Sequence, residues 1–166
     1  MVLIPSRRVK VLLDDDGRVK KEIERRGDVK LNVDLEGGVE IVSDDPVAEW
    51  KTIDVIKAIG RGFDPRDAYK LFDENHILRI INLKEIFHKE KQRRRHLGRI
   101  IGRQGKAKKK IEEMTGAKLC IYGNTVSIIG LPDEVRLAER AIDMLLRGVG
   151  HGAVYGMLKR ESLRMG

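Results

Sequence analysis

Cysteine and aromatic residues are scarce in this chain, and each shortage excludes a class of protein. Cys120 is the single cysteine among 166 residues, so the chain cannot form an internal disulfide. Its position in an apolar, strand-like segment predicts a small core residue. Aromatic residues make up only 4% of the chain, which argues against a sheet that binds RNA by stacking bases on Phe or Tyr.

Long apolar runs and catalytic motifs are missing as well. No apolar stretch approaches the roughly 20 residues needed to cross a bilayer. Residues 1–8 lack the apolar core of a secretion signal, so we expect a cytoplasmic protein. The four histidines are scattered, without an HExxH motif, a Cys/His cluster or a nucleophile elbow. Residues 102–106 are too short for a Walker loop. The sequence therefore predicts a protein that is not an enzyme and that has no cofactor.

Positive charge, in contrast, is concentrated in one segment. The chain has a net charge of +8, and residues 88–118 contain twelve Lys and Arg against three acidic residues. The remaining 135 residues carry 22 basic and 23 acidic side chains. A lone run such as Arg93-Arg94-Arg95 is often only a solvated face. A local excess interleaved with isoleucines instead favours a site for a polyanion, and nucleic acid is the first candidate.

Two glycines three residues apart lie in this basic segment, in Gly102-Arg103-Gln104-Gly105. Glycine lets a backbone turn approach a partner that a Cβ atom would keep away. Residues 106–114 have the spacing of a helix, with Ile111 and Met114 on one face. A glycine turn that opens a helix exposes backbone N–H groups, which suit phosphate. The alternative is an ordinary tight turn, but the surrounding lysines and arginines favour nucleic-acid contact.

The chain also contains an internal repeat at an offset of 88 residues. Residues 17–31 match residues 105–119, and Leu12-Leu13 matches Ile100-Ile101. Besides Gly17 and Gly105, six pairs are identical: Lys20 and Lys108, Lys21 and Lys109, Ile23 and Ile111, Glu24 and Glu112, Lys30 and Lys118, Leu31 and Leu119. This self-similarity predicts a duplicated domain.

Hydrophobic periodicity predicts a similar element order in both units. The first unit, residues 1–75, reads as a strand or short helical start at 9–13, a helix at 18–26, strands at 28–35 and 39–43, and a helix at 46–59. Residues 62–75 follow, with a helix start at Asp64-Pro65. The second unit, residues 76–166, reads as a strand at 77–86, a short helix or basic loop at 88–97, a helix at 106–114, strands at 117–122 and 125–130, and a helix at 132–146.

This order, with Ile-Ile-Gly-x-x-Gly at the turn between two helices, resembles the type I K-homology (KH) RNA-binding domain. Two fused units, of which only the second carries the motif, resemble the archaeal small-subunit ribosome assembly factors of the partner-of-Nob (Dim-two) type. The resemblance covers nearly the whole chain, including residues 148–160. It implies an α+β fold with two tandem type I KH units (βααββα), each a three-stranded antiparallel sheet packed against helices.

The same resemblance implies a function and a set of partners. Members of the family bind single-stranded rRNA near the 3′ end of the small-subunit rRNA during its maturation. A PIN-domain endonuclease and the α subunit of translation initiation factor two are the implied protein partners. A second hypothesis remains open, in which the chain is chiefly a protein-interaction adaptor of the translation machinery. Its RNA binding would then be weak, electrostatic and indifferent to sequence.

In a KH unit the turn clamps about four nucleotides of single-stranded nucleic acid. By matching position, Gly102 and Gly105 allow close backbone approach, and Arg103 and Gln104 project towards phosphate or sugar. The charge is supplemented by Arg99, Lys106, Lys108 and Lys109. Candidates for an apolar floor under the bases are Ile100 or Ile101, Ile111, Leu119 and Ile121. Ile111 and Ile121 also fit an ordinary core position.

The first unit departs from the motif. Its turn reads Asp14-Asp15-Asp16-Gly17, and Asp14 stands where the repeat has Gly102. Three carboxylates repel phosphate, so we predict that this turn does not bind RNA. The unit would instead buttress the second unit or contact a protein. A metal ion on the three carboxylates is a minor alternative, because acidic residues also suit the start of a helix.

Overall fold

The computed structural model describes residues 1–165, and it divides after residue 76 into two compact units. Each unit holds one three-stranded antiparallel sheet with helices packed against it. The predicted α+β class, with two such sheets, is confirmed. Among residues 1–165 there is no helix whose length and apolar character would suit a membrane crossing.

The first unit contains three strands and three helices. They are β1 (Val2–Leu3), α1 (Val9–Gly27), β2 (Lys30–Val33), β3 (Gly38–Val42), α2 (Pro46–Gly60) and α3 (Pro65–Ala68). The sheet order is β1-β3-β2, with Leu31 opposite Ile41 in the β2–β3 hairpin. Asp45 starts α2, because its side chain accepts a hydrogen bond from the Val47 N–H at 2.9 Å and Pro46 fits the first helical position.

One expectation for this unit needs correction. The strand alternative for residues 9–13 is wrong, because these residues begin α1, with Val9 and Leu12 buried. The opening strand is instead β1, which pairs with β3 through Val2 and Val39. Two residues are too few to leave a periodic signal in the sequence, so β1 could be found only through its partner strand.

The second unit contains three strands and four helices. They are β4 (Ile77–Asn82), α4 (Glu90–Ile101), α5 (Lys106–Thr115), β5 (Lys118–Tyr122), β6 (Thr125–Gly130), α6 (Pro132–Leu146) and α7 (His151–Met165). The sheet order is β4-β6-β5. Every residue of the central strand β6 is buried. The core includes Ile100, Ile111, Val126, Ile128 and Ile142.

The predicted bounds of β6 and α6 are confirmed, whereas two other features of the second unit differ from the prediction and one open choice is resolved. β4 ends at Asn82 rather than at residue 86, because the Asn82 side chain accepts from the Lys84 N–H at 3.0 Å and starts a 3-10 turn. The open choice at 88–97 is resolved as a helix, which continues to Ile101. α7 was not predicted as a helix.

The repeat seen in the sequence recurs as a repeated set of contacts. In each unit a helix glutamate accepts a hydrogen bond from a leucine N–H at the start of the next strand, at 2.9 Å. The same glutamate forms an ion pair with a lysine four residues earlier in the helix. The two sets are Glu24 with Leu31 and Lys20 (3.5 Å), and Glu112 with Leu119 and Lys108 (3.4 Å). The identical residues of the repeat therefore fix the helix to the strand in the same way twice.

Candidate nucleic-acid interface

The Gly102–Gly105 turn joins the end of α4 to the start of α5. Gly102 has φ 77° and ψ 174°, Gln104 has φ 56° and Gly105 has φ 77°. The Gly102 N–H donates to the Gly98 carbonyl at 2.8 Å and closes α4. Positive φ values are costly for residues with a Cβ atom, so this backbone path favours glycine at both of its ends.

The two glycines of the turn are required for different reasons. A Cβ atom on Gly102 would lie 2.6 Å from the Ala107 Cβ and 2.7 Å from the Ala107 backbone nitrogen. Gly102 is therefore needed to bring the turn against α5. A Cβ atom on Gly105 would meet nothing within 4 Å. The open side of the turn, where another molecule can approach the backbone, lies at Gly105.

Cationic side chains without carboxylate partners surround the open side. Arg103, Lys106 and Lys109 are exposed, and within residues 1–165 none of them forms an ion pair. Lys108 differs, because its ammonium lies 3.4 Å from a Glu112 carboxylate oxygen. Gln104 is exposed at the tip of the turn. The turn thus combines backbone N–H groups at the start of α5 with three available positive charges, an arrangement suited to a phosphodiester chain.

Arg99 is placed differently from the other predicted cations. Its guanidinium donates to the Leu145 carbonyl and to the Val149 carbonyl, both at 2.6 Å. The Arg99 carbonyl in turn lies 2.8 Å from the His151 ring Nε2. These contacts connect the last turn of α4 to the end of α6 and the start of α7. Arg99 therefore holds the scaffold behind the turn.

The predicted apolar floor is only partly accessible. Ile100 and Ile111 are fully buried, and Leu119 is 4% exposed, so these three side chains belong to the core. Ile101 is 36% exposed beside the turn. Ile121 on β5 is half-buried and packs against the core. Of the predicted set, Ile101 and Ile121 are the side chains with surface to offer to a base.

The three arginines of the Arg93-Arg94-Arg95 run have three different environments. Arg93 donates to the Asn124 side-chain oxygen at 3.1 Å and to the Phe87 and His88 carbonyls at 2.9 and 2.8 Å. Arg94 pairs with Glu90 at 3.0 Å. Arg95 is exposed and has no carboxylate partner among the described residues. The solvated-face interpretation of the run therefore does not hold for Arg93.

His96 lies on the inner side of the same helix. Its ring stacks on Phe87, with centroids 4.2 Å apart and planes 8° from parallel. Burial lowers the pKa of His96 below its ordinary value of 6.5, and the charges of Arg95 and Arg99 lower it further. A neutral imidazole, stacked on Phe87, is therefore favoured.

In the first unit, the equivalent turn has a different backbone and the opposite charge. Asp14 is extended (φ −64°, ψ 159°), and Asp15, Asp16 and Gly17 are left-handed with φ of 56°, 56° and 74°. The three carboxylates are exposed. Within residues 1–165, no group of three or more His, Cys, Asp or Glu side chains is arranged to hold a metal ion. The turn offers no cation to a phosphate.

Known proteins resemble this chain over nearly all of its length. Residues 77–163 match the family model for the second KH domain of PNO1, described as a eukaryotic type KH domain (KH domain type I). A KH domain-containing protein of Methanocaldococcus jannaschii is 43% identical over 162 residues, which cover 95% of this chain and 71% of that protein. The pre-rRNA-processing protein pno1 of Aspergillus fumigatus is 34% identical over 125 residues, which cover 73% of this chain and 49% of that protein.

A solved structure is similar in fold as well as in sequence. It is the a/eIF2alpha–aDim2p–rRNA complex from Pyrococcus horikoshii OT3, whose matching chain is 45% identical with a TM-score of 0.89. The match covers 98% of this chain and 93% of the other. The present chain thus spans nearly all of the archaeal aDim2p chain but about half the length of its fungal relative.

Proposed function

The chain belongs to the PNO1/Dim2 family of type I KH-domain proteins, and from this membership we propose that it is an RNA-binding ribosome biogenesis factor. The observation that carries the proposal is the open side of the Gly102–Gly105 turn at Gly105. Arg103, Lys106 and Lys109 surround this opening, and no carboxylate in the described part of the chain neutralises them. Single-stranded RNA supplies the phosphates that such a site can hold.

Each part of the turn has a separate role in the proposed clamp. The RNA backbone approaches the peptide backbone at Gly105, and the positive end of α5 attracts the phosphate. Arg103, Gln104 and Lys106 bind phosphate or sugar, with Lys109 and the partly neutralised Lys108 adding attraction at longer range. Ile101 and Ile121 contact the bases. Arg99 and Leu119 act indirectly, because they hold the elements that carry these groups.

The finer proposal concerns the RNA and its processing. The relative in Aspergillus fumigatus is named for pre-rRNA processing, and the neighbour from Pyrococcus horikoshii was solved with rRNA and a/eIF2alpha. We propose that the present chain holds single-stranded rRNA near the 3′ end of the small-subunit rRNA during maturation. The α subunit of translation initiation factor two and a PIN-domain endonuclease are the proposed protein partners.

One observation supports the adaptor function as a second candidate. On α2 of the first unit, Val47 and Trp50 lie about one helical turn apart and are 55% and 69% exposed. Trp50 is the chain's single tryptophan, and exposed tryptophan is frequent at the energetic centre of protein interfaces. In this alternative the first unit contacts a component of the translation machinery, and RNA binding by the second unit is weak and non-specific.

Binding to short RNAs separates the two candidates. RNAs that copy the 3′ end of the small-subunit rRNA are compared with scrambled RNAs of the same composition by fluorescence anisotropy, at about 50 and 200 mM salt. The biogenesis function predicts a preference for the rRNA sequence that persists at the higher salt. Equal, steeply salt-sensitive binding to all RNAs would instead favour the adaptor.

The clamp itself is tested by Gly105→Asp, with Gly123→Asp as a matched control. Both glycines have positive φ values (77° and 58°) and open surroundings, so the backbone strain is similar. Gly123 lies in the β5–β6 turn, outside the glycine turn and its cationic side chains. A carboxylate at Gly105 repels phosphate, and we expect RNA affinity to fall at least about tenfold, as for the loss of a charge-assisted contact. Unchanged affinity in folded Gly105→Asp protein would refute the clamp.

A further inference from the structure

Helix α4 is longer than the corresponding helical segment of the first unit. It has 12 residues before Gly102, whereas in the first unit only Val9 to Leu13 precede the break in α1. The two extra turns are held firmly on their inner side by the three hydrogen bonds of Arg93 and by the stack of His96 on Phe87. The outer side of these turns is therefore presented in a fixed orientation.

One stripe on the outer side of α4 leads directly to the glycine turn. Lys91, Arg95, Gly98 and Gly102 are spaced by four, three and four residues, so they lie on one face of the helix. Lys91 and Arg95 are exposed, and neither forms an ion pair within residues 1–165. Arg94 lies about 60° from Lys91 and about 40° from Gly98 around the helix, but its charge is paired with Glu90. The two available cations of α4 are thus both on the stripe.

Gly98 lies on the same stripe, and its place inside a helix supports the stripe independently of charge. Glycine inside a helix is unfavourable relative to alanine. A Cβ atom at Gly98 would meet nothing within 4 Å, and its φ is not positive. Neither internal packing nor backbone conformation therefore requires glycine at this place. The remaining consequence of glycine is that an outside molecule can approach the helix backbone closely between Arg95 and the turn.

We infer that Lys91, Arg95 and Gly98 form a track for the phosphates of single-stranded RNA that continues the clamp beyond the Gly102–Gly105 turn. The inference rests on the proposed RNA-binding function and extends its footprint. From Gly102 to Lys91 the helix rises about 16 Å, which corresponds to about five nucleotides of a stacked strand at 3.4 Å each. Bound RNA therefore leaves the clamp on one side along the outer face of α4.

Length series of RNA test the track. Starting from a core of about four nucleotides that fills the clamp, one series is extended at the 5′ end and another at the 3′ end, up to about twelve nucleotides. Affinity is expected to rise with length in one series only, because the track leaves the turn in one direction. Equal gains in both series, or no gain in either, would overturn the inference.

Charge-neutral variants locate the track on the helix. Lys91→Gln and Arg95→Gln are expected to weaken binding of the long RNA about two- to fivefold, as for an exposed ion pair. Each should reduce the log–log salt slope by about 0.7. Affinity for the short core should stay within about twofold, since the core does not reach these residues. Arg94→Gln removes a charge of the same helix that is already paired with Glu90, and it serves as the control. Equal losses in all three variants would show that binding depends on general electrostatic attraction and not on the two unpaired cations.

Gly98→Ala distinguishes close approach from charge alone. The substitution should raise the thermal stability of α4 because alanine favours the helix. It should weaken binding of the long RNA without changing the affinity for the short core. Higher stability with unchanged binding of the long RNA would remove Gly98 from the track. A wrong clamp proposal can be distinguished from a wrong track proposal. Gly105→Asp is expected to change the affinity for the short core, whereas the track variants are expected to change only the gain from the extension.

Discussion

Arg99 and Arg103 lie four residues apart across the end of α4, and their guanidinium groups have different surroundings. Arg99 is engaged by two backbone carbonyls, whereas Arg103 is exposed without an ion pair among the described residues. The predicted contribution of Arg99 to RNA binding is therefore best understood as indirect, through the scaffold.

Arg99→Lys tests this distinction, because lysine keeps the charge but cannot donate to two carbonyls in the fixed geometry of a guanidinium. We expect the free energy of unfolding to fall by roughly 2 kcal/mol, the value for hydrogen bonds to a charged group. The salt dependence of RNA binding should be unchanged. Urea denaturation followed by circular dichroism measures the first, and RNA titrations at several salt concentrations measure the second.

Arg103→Lys is the matched control at the residue scale. It should leave the free energy of unfolding within about 0.5 kcal/mol, as for an ordinary surface substitution. A stable Arg99→Lys protein whose RNA affinity is nevertheless reduced would contradict the scaffold role and return Arg99 to the RNA-binding surface.

The sequence was sufficient to predict the glycine turn but not the different environments of the arginines around it. The spacing of Gly102 and Gly105 was sufficient to predict a turn, because the requirement for positive φ is local. The environment of Arg99 depends on carbonyls 46 and 50 residues later in the chain. Such partners have no signature in the local sequence, and the same holds for Arg93 and Asn124.

The helices and strands that were predicted correctly are those with a strong local pattern in the sequence. β6 is an apolar strand next to a turn, and α6 begins at Pro132 with a strongly amphipathic pattern. α7 carries Gly152 and Gly156, which weaken a helical pattern. α7 is stabilised by burial of Val154, Met157 and Leu158. This burial depends on tertiary packing, which the local sequence does not reveal.

Helix α4 has a pH-dependent anchor in His96, whose pKa is lowered by burial and by nearby arginines. Below about pH 6.5 the unfolded chain takes up more protons at this residue than the folded chain, so stability rises with pH through this window. Lowering the pH from about 7.5 to 5.5 should therefore reduce the free energy of unfolding. His96→Phe, which keeps the stack on Phe87, should reduce this loss.

Denaturation curves at both pH values, for the original protein and for His96→Phe, provide the measurement. The control is His88→Gln, because His88 is exposed near the start of the same helix. A pH dependence unchanged by His96→Phe, or reduced equally by the control, would show that His96 is not the titrating anchor of α4.

At the scale of the whole molecule, the two units share a fold and differ in charge. Residues 1–76 contain 14 Lys and Arg against 17 Asp and Glu, whereas residues 77–166 contain 20 against nine. The contacts of Glu24 and Glu112 show that duplication preserved the framework. Divergence is greatest at the turn, where Asp14, Asp15 and Asp16 precede the one glycine that is kept. Long-range attraction of RNA therefore favours the second unit.

The same substitution at equivalent turn positions tests this division. Gly17 corresponds to Gly105 in the repeat, has φ 74° and, like Gly105, has open surroundings. Gly17→Asp should therefore impose a similar backbone strain and the same charge change as Gly105→Asp. We expect RNA affinity to stay within about twofold for Gly17→Asp, since three carboxylates already exclude phosphate from that turn. A loss as large as that of Gly105→Asp would mean that both units bind RNA. The acidic turn of the first unit would then contact RNA without the help of cationic side chains.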